Sequence, residues 1–302
     1  MTRRCILAAV TFVLAGVPAF GQLVEEGTEI IDFDRPEAWA MKYFASVAQP
    51  TGMGAPRALA PGEIEVGFEG GWVASLDEAE QRVGFNGTKH EDLNRTSVFG
   101  RPRIRFGLPN AFSVGVSWVP PVEVGGAEPN LWSVDVARPF QIADRHRIGA
   151  RIFALDGSIE ADFTCDRATV AAGDDPLRNP FGCQEVSRDE QEMRSTGFEV
   201  SWAREPREGG RWEPHVAVAT AEMDLNFQIN ARYGGIVDRI RLEAEGTTVS
   251  VMAGLTYFGS DRWRVTGEAF YAPLDVERPT STSSSDDPLF NVRFLFAYRV
   301  RE

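Results

Sequence analysis

Phe290-Asn291-Val292-Arg293-Phe294-Leu295-Phe296-Ala297-Tyr298-Arg299-Val300 is the stretch that decides the fold of this chain. The even positions, Phe290, Val292, Phe294, Phe296, Tyr298 and Val300, are all bulky and apolar. The odd positions include Asn291, Arg293 and Arg299. A period of two gives one strand a greasy face and a charged face. The aromatic row is too large to leave in water, and arginines are rarely left unpaired inside a soluble core. A closed barrel in a membrane reconciles the two, with the apolar row on lipid and the polar row toward the lumen.

The same alternation recurs upstream. It predicts an all-β, antiparallel up-and-down barrel of about ten strands over residues 63–302. The first strand, about 63–75, sets Ile64, Val66, Phe68 and Trp72 against Glu63, Glu65 and Glu69. The second, about 96–107, sets Ile104 and Phe106 against Arg101, Arg103 and Arg105. Further strands fall at 111–119, 131–139, 146–160, 195–204 and 262–274. Each apolar face has the length that a tilted strand needs to cross a bilayer. Connections alternate: 107–110, 141–144, 206–210 and 259–261 are short, whereas 76–95, 120–130, 161–194 and 276–288 are long. Short turns on the periplasmic side and long loops outside follow the rule for such barrels.

The seventh and eighth strands form a long hairpin. Its apolar face runs Trp212, Val216, Val218, then changes parity after Ala221 to Met223, Leu225, Phe227 and Ile229. The return strand changes parity at Gly246. With Tyr233-Gly234 as a two-residue turn, Ala221 lies opposite Gly246, Val216 opposite Val251 and Leu225 opposite Leu242. One extra residue on each strand would then swap the faces. Splitting the hairpin in two gives twelve strands, the competing count.

Residues ahead of the barrel divide in two. Arg3 and Arg4, the apolar run Ile6–Val17 and small residues ending at Gly21 read as a secretory signal peptide over 1–21, with Gln22 as the mature start. Residues 22–62 read as a periplasmic or plugging segment. They hold a short amphipathic helix capped by Asp34, with Pro36 in its first turn, ended by Gln49-Pro-Thr-Gly-Met-Gly-Ala-Pro56. Its places are the lumen, the inner rim, the barrel mouth or a periplasmic partner. Removing the leader takes the formal charge from -13 to -15, which argues against nucleic-acid binding. Two cysteines then remain, Cys165 and Cys183. Export to an oxidising compartment predicts one disulfide across a polar loop.

The lumen face collects Glu63, Glu65, Glu69, Arg101, Arg103, Arg105, Asp135, Arg147, Arg151, Glu199, Arg264, Glu268, Arg293 and Arg299, with His215 beside them. Such a network can replace an apolar core or line a selective channel. Ten strands are close to the width that side chains fill, which disfavours an open porin. On the hairpin, Glu222 near Glu245 and Asp224 near Glu243 offer weak ligands for a surface calcium ion, against a plain solvated acidic rim. No other cofactor is expected. Catalysis would need a rim histidine with a carboxylate, for which His90 with Asp92, Asp174-Asp175 or Asp286-Asp287 supply only the residue types. No nucleophile elbow, phosphate loop or dinucleotide fingerprint is present in the sequence.

Leader, alternating strands, asymmetric loops and the aromatic closing strand together resemble bacterial outer-membrane β-barrel proteins as a class. The resemblance implies outer-membrane lipid and lipopolysaccharide as surroundings. It also implies recognition of the last strand's aromatic residues by the barrel assembly machinery, with Phe296 and Tyr298 in that role and Val300-Arg301-Glu302 extending past them. The preceding helical segment is similar to that of outer-membrane hydrophobic-solute transporters, which are larger barrels. The function expected is non-enzymatic: narrow passage of an unnamed small solute, or surface binding and envelope structure. The alternatives are a rim hydrolase and a soluble secreted β-sandwich.

Overall fold

The computed structural model describes residues 23–95, 97–279 and 285–300. The leader reading over 1–21, the serine-rich tip at 281–284 and the two last residues lie outside the described residues. The described chain begins with a strand β1 (Leu23–Ile30) and a helix α1 (Pro36–Ala48). Ten barrel strands follow: β2 (Ile64–Val73), β3 (Val98–Gly107), β4 (Ser113–Val119), β5 (Ala127–Ala143), β6 (His146–Ala161), β7 (Asp189–Arg204), β8 (Trp212–Gln228), β9 (Ile236–Phe258), β10 (Trp263–Ala272) and β11 (Leu289–Val300). Each is antiparallel to the next, and β11 returns to pair with β2, with Phe296 opposite Phe68 and Arg299 opposite Glu65. The ring is closed at ten, so neither the twelve-strand count nor the sandwich holds.

Lipid-facing rows are those the alternation picked out. Phe68, Trp132, Ile152, Trp212, Val218, Phe294 and Phe296 all stand exposed on the outer wall. A belt of that size is incompatible with water on a soluble monomer. Aromatic pairs mark its two edges: Trp118 stacks on Trp132 at the long-loop end, and Trp212 meets Tyr257 at the short-turn end. Among the described residues no helix is long and apolar enough to cross a membrane.

The β8–β9 hairpin corrects the sequence reading. Its two-residue turn is Gly234-Gly235, both with positive φ (55° and 84°), and Tyr233 pairs with Ile236. A turn of that twist needs left-handed backbone at both central residues, which two glycines supply and Tyr233 would resist. Moving the turn by one residue moves every pair by two. Val218, not Val216, faces Val251; Ala221 faces Thr248; Gly246 faces Met223; Leu225 faces Ala244. No bulge interrupts the pair, so no face is swapped.

What changes near Ala221 is the surroundings. Up to Thr220 the outer row is apolar and the inner row carries Glu213 and His215. Beyond it the outer row is Glu222, Asp224 and Asn226, and the inner row is Met223 and Leu225. The barrel wall leaves the membrane there and continues into water, so inside and outside exchange polarity without any change of register. This upper storey has an apolar core of Phe153, Leu155, Met193, Met223, Leu225, Met252 and Phe270 packed around Trp39, Met41 and Tyr43 of α1. The inner row of β8 thins to Ala217, Ala219 and Ala221, which leaves room for the helix.

The helix begins after Arg35, which makes no side-chain cap, and not after Asp34; Pro36 occupies its first turn, where a missing N–H costs nothing. Ahead of it, β1 lies parallel to the protruding half of β9, from Leu23 opposite Ile236 to Ile30 opposite Glu243. The N-terminal segment therefore enters from the long-loop end.

Candidate functional site

Between α1 and β2 the chain has to travel the length of the barrel, and it does so through the lumen. Residues 46–56 carry almost no side-chain charge. What they offer the wall is a row of backbone carbonyls, and the wall answers with arginines. Arg293 donates to the carbonyls of Ser46 (3.2 Å) and Gln49 (2.6 Å). Arg101 donates to Ala48 (2.8 Å) and Gln49 (3.1 Å). Arg151 reaches Pro50 (2.6 Å), Arg103 reaches Thr51 (2.9 Å) and Arg264 reaches Met53 (3.2 Å). Carboxylates complete the grip: Glu199 accepts from the Gly52 N–H (3.1 Å) and Glu268 from the Thr51 hydroxyl (2.7 Å).

Four of these five arginines also pair with wall carboxylates, and the fifth, Arg293, donates to Asn291 Oδ1 at 2.9 Å. Glu69 bridges Arg101 (2.6 Å) and Arg103 (2.7 Å). Arg105 meets Asp135 and Arg151 meets Glu199, each at 2.7 Å. Glu65 takes Arg264 at 3.0 Å and Arg299 at 3.8 Å, and Glu63 is 3.8 Å from Arg299. Arg147 is held by Glu213 and Glu205, each at 2.7 Å. His215 is 3.2 Å from Glu268. Each residue expected on the lumen face has an ion-pair or hydrogen-bond partner in this set, which divides into several local groups. Charges taken out of water remain tolerable when paired and hydrogen-bonded in this way.

Fit is tight as well as polar. A Cβ on Gly52 would stand 2.5 Å from Glu199, and one on Gly149 of β6 would stand 2.1 Å from the ring of Pro56. Both glycines are where chain and wall meet.

Sequence reasoning missed Glu213, Arg57 and the role of residues 49–56. Two signals pointed there: arginines outnumber carboxylates on the lumen face, so some donors needed other acceptors, and Pro50-Thr-Gly-Met-Gly-Ala-Pro56 has the small side chains that a narrow bore demands.

The acidic pairs on the hairpin are not those expected. Asp224 is opposite Glu245, Glu222 is opposite Thr247 and Glu243 is opposite Asn226, because of the shifted register. Among the described residues no group of three or more His, Cys, Asp or Glu is placed to hold a metal ion. Among the described residues, three of the rim carboxylates have local partners. Asp92 receives the Asn94 N–H and lies 3.7 Å from Arg95, Asp175 receives the Leu177 N–H, and Asp287 is bound by Arg278. His90 is exposed and pairs through its backbone with Arg82. Cys165 and Cys183 form the expected disulfide, with Cα atoms 5.7 Å apart.

Above the bore lies a second feature, a cavity of about 210 Å³ between α1, the protruding hairpin and the long loops. Phe44, Phe163 and Phe227 form one wall, with ring centroids 5.2 and 5.8 Å apart along the row. Glu91 lines it too. Burial pushes its carboxyl up to about 8, although Lys89 bonds both its oxygens at 2.7 Å.

No known family model matches this sequence, and no curated protein matches it. Solved structures do match, at the level of fold. The outer-membrane protease OmpT from Escherichia coli is 11% identical, covering 81% of this chain and 99% of its own, with a TM-score of 0.38. The translocator domain of the autotransporter NalP from Neisseria meningitidis is 9% identical over 86% of this chain and 94% of its own, TM-score 0.43. An outer-membrane channel from Pseudomonas putida F1 is 11% identical over 83% of this chain and 99% of its own, TM-score 0.42. Each of these is a bacterial outer-membrane barrel, the class to which the closed ring and its lipid-facing belt belong. At such identities and scores the likeness carries no statement about activity.

Proposed function

We propose that this is a non-enzymatic outer-membrane barrel, closed along its axis by its own N-terminal segment, that works through its long-loop end as a surface-binding and envelope protein. One observation carries the reading: five lumen arginines, Arg101, Arg103, Arg151, Arg264 and Arg293, are committed to the carbonyls of residues 46–53. A solute following the bore would have to displace a chain held by several charge-assisted hydrogen bonds at once, each stronger than a neutral one. The narrow-passage alternative therefore loses its route along the axis. The apolar upper core and the cavity above it give the long-loop end a built interior of its own, which a mere cap would not require. The surrounding lipid and lipopolysaccharide, and the assembly machinery reading Phe296 and Tyr298, belong to the same proposal. Single-channel recording in planar bilayers tests it. The wild type should give no stable step conductance at low voltage. A chain lacking residues 46–56 should give one. A steadily open wild-type pore would restore the passage reading.

A further inference from the structure

The cavity at the long-loop end combines three features that point to a ligand. It is a half-open, mostly apolar recess, with Met41, Phe44, Phe163 and Phe227 among its walls. Its volume, about 210 Å³, exceeds the roughly 150 Å³ at which an apolar cavity already admits benzene. One aromatic ring with a short substituent fits that space.

Charge at the cavity is one-sided. Glu29, Glu37, Glu91 and Asp238 line it against Arg35 alone, and Lys89 is the cation on Glu91. Even with Glu91 left out because burial keeps it protonated, Glu29, Glu37 and Asp238 outnumber Arg35 and Lys89. Of these groups Glu37 is the one with capacity left. Its Oε1 accepts from Arg35 (3.1 Å) and from the Asn86 N–H, while its Oε2 is buried without a hydrogen-bond partner. A buried carboxylate oxygen left unpaired is costly, and a cation would relieve it.

The lip over Glu37 is strained. Phe85 (φ 49°) and Asn86 (φ 55°) are both left-handed, and Gly87 continues the turn at 79°. Left-handed backbone is unfavourable for a bulky residue such as Phe85, and such strain gathers at ligand clamps. Here it delivers the Asn86 N–H to Glu37 and sets Phe85, which lines the cavity, 5.2 Å from Phe181.

We propose that this cavity binds a small amphipathic amine, its ring or chain among Met41, Phe44, Phe163 and Phe227 and its ammonium against the Glu37 carboxylate, which turns to meet it. The proposal deepens the reading of the long-loop end as the working surface and rests on it. Conductance tests that reading; the test here is calorimetric, so the two can fail separately.

The probe is phenethylamine, titrated into detergent-solubilised protein whose folding is verified by its faster migration before boiling. Saturable one-to-one binding is expected. Glu37→Gln, which keeps the shape and removes the charge, should weaken phenethylamine by about tenfold or more and leave the uncharged 2-phenylethanol unchanged. Ala40→Leu, which fills the cavity, should weaken both. No saturable heat up to the solubility limit would overturn the proposal. So would phenylacetate binding as tightly as the amine, or a folded Glu37→Gln that binds the amine like the wild type.

Discussion

Glu69 and Arg101 form an ion pair of 2.6 Å with both side chains out of contact with solvent, and the same guanidinium holds the carbonyls of Ala48 and Gln49. The barrel wall and the threaded chain are therefore one electrostatic unit, since Glu69 also anchors Arg103 and through it Thr51. Glu69→Ala should leave two arginines buried beside each other without their carboxylate, at a cost of about 3–5 kcal/mol. The measurement is the temperature at which the compact gel band converts to the unfolded one. An unchanged transition would show that the wall does not depend on the network.

Gly246 faces inward where Phe33 packs: a Cβ there would be 2.3 Å from the Phe33 ring, which also carries the Lys42 ammonium 4.5 Å from its centre. Gly246→Val should cost about 1–3 kcal/mol by overpacking, read from the same band transition. Phe33→Ala in the same chain should recover part of that loss, because the clash is specific to that pair.

The Cys165–Cys183 bridge closes a loop of sequence separation 18 whose other ties are mostly hydrogen bonds. Reduction should change gel mobility in the wild type and not in Cys165→Ser. Loop-closure entropy puts the contribution to local stability at about 3 kcal/mol, visible as faster proteolysis within 165–183 while the barrel band persists.

Glu91 gives the long-loop end a pH dependence. Burial raises its folded pKa to about 8 from an ordinary 4.5. Between those values the folded state holds a proton that the unfolded state has lost, so stability falls as pH rises across that window. Glu91→Gln should flatten this slope and make the region more resistant to protease at pH 8 than the wild type. A slope of the opposite sign, or one that survives the substitution, would contradict the assignment.

Much of the fold was legible because a barrel writes its two solvents into every second residue. Phe68 and Glu69, or Arg293 and Phe294, announce lipid and lumen side by side, and the even strand count follows from loops that alternate in length. The hairpin register was not legible to within one residue, since Tyr233-Gly234 and Gly234-Gly235 both look like turns until left-handed backbone is demanded of both positions. The parity change at Ala221 is visible in the sequence but does not reveal its cause: period two reports polarity, and polarity also inverts when a wall passes from lipid into water around an apolar filling. The threaded segment escaped because its contribution is backbone carbonyls, which no side-chain pattern encodes. The cavity escaped because α1, the loop at 82–91 and the β8–β9 hairpin meet only in three dimensions.

Passage of the N-terminal segment down the bore is tested most directly by labelling from the two sides. Thr28→Cys in β1 should react with a membrane-impermeant maleimide on intact cells, and Ala60→Cys, beyond the bore, should react only after the outer membrane is permeabilised. Cys165 and Cys183 stay silent as a disulfide. Labelling of both positions from the same side would place the segment outside the lumen and contradict the account.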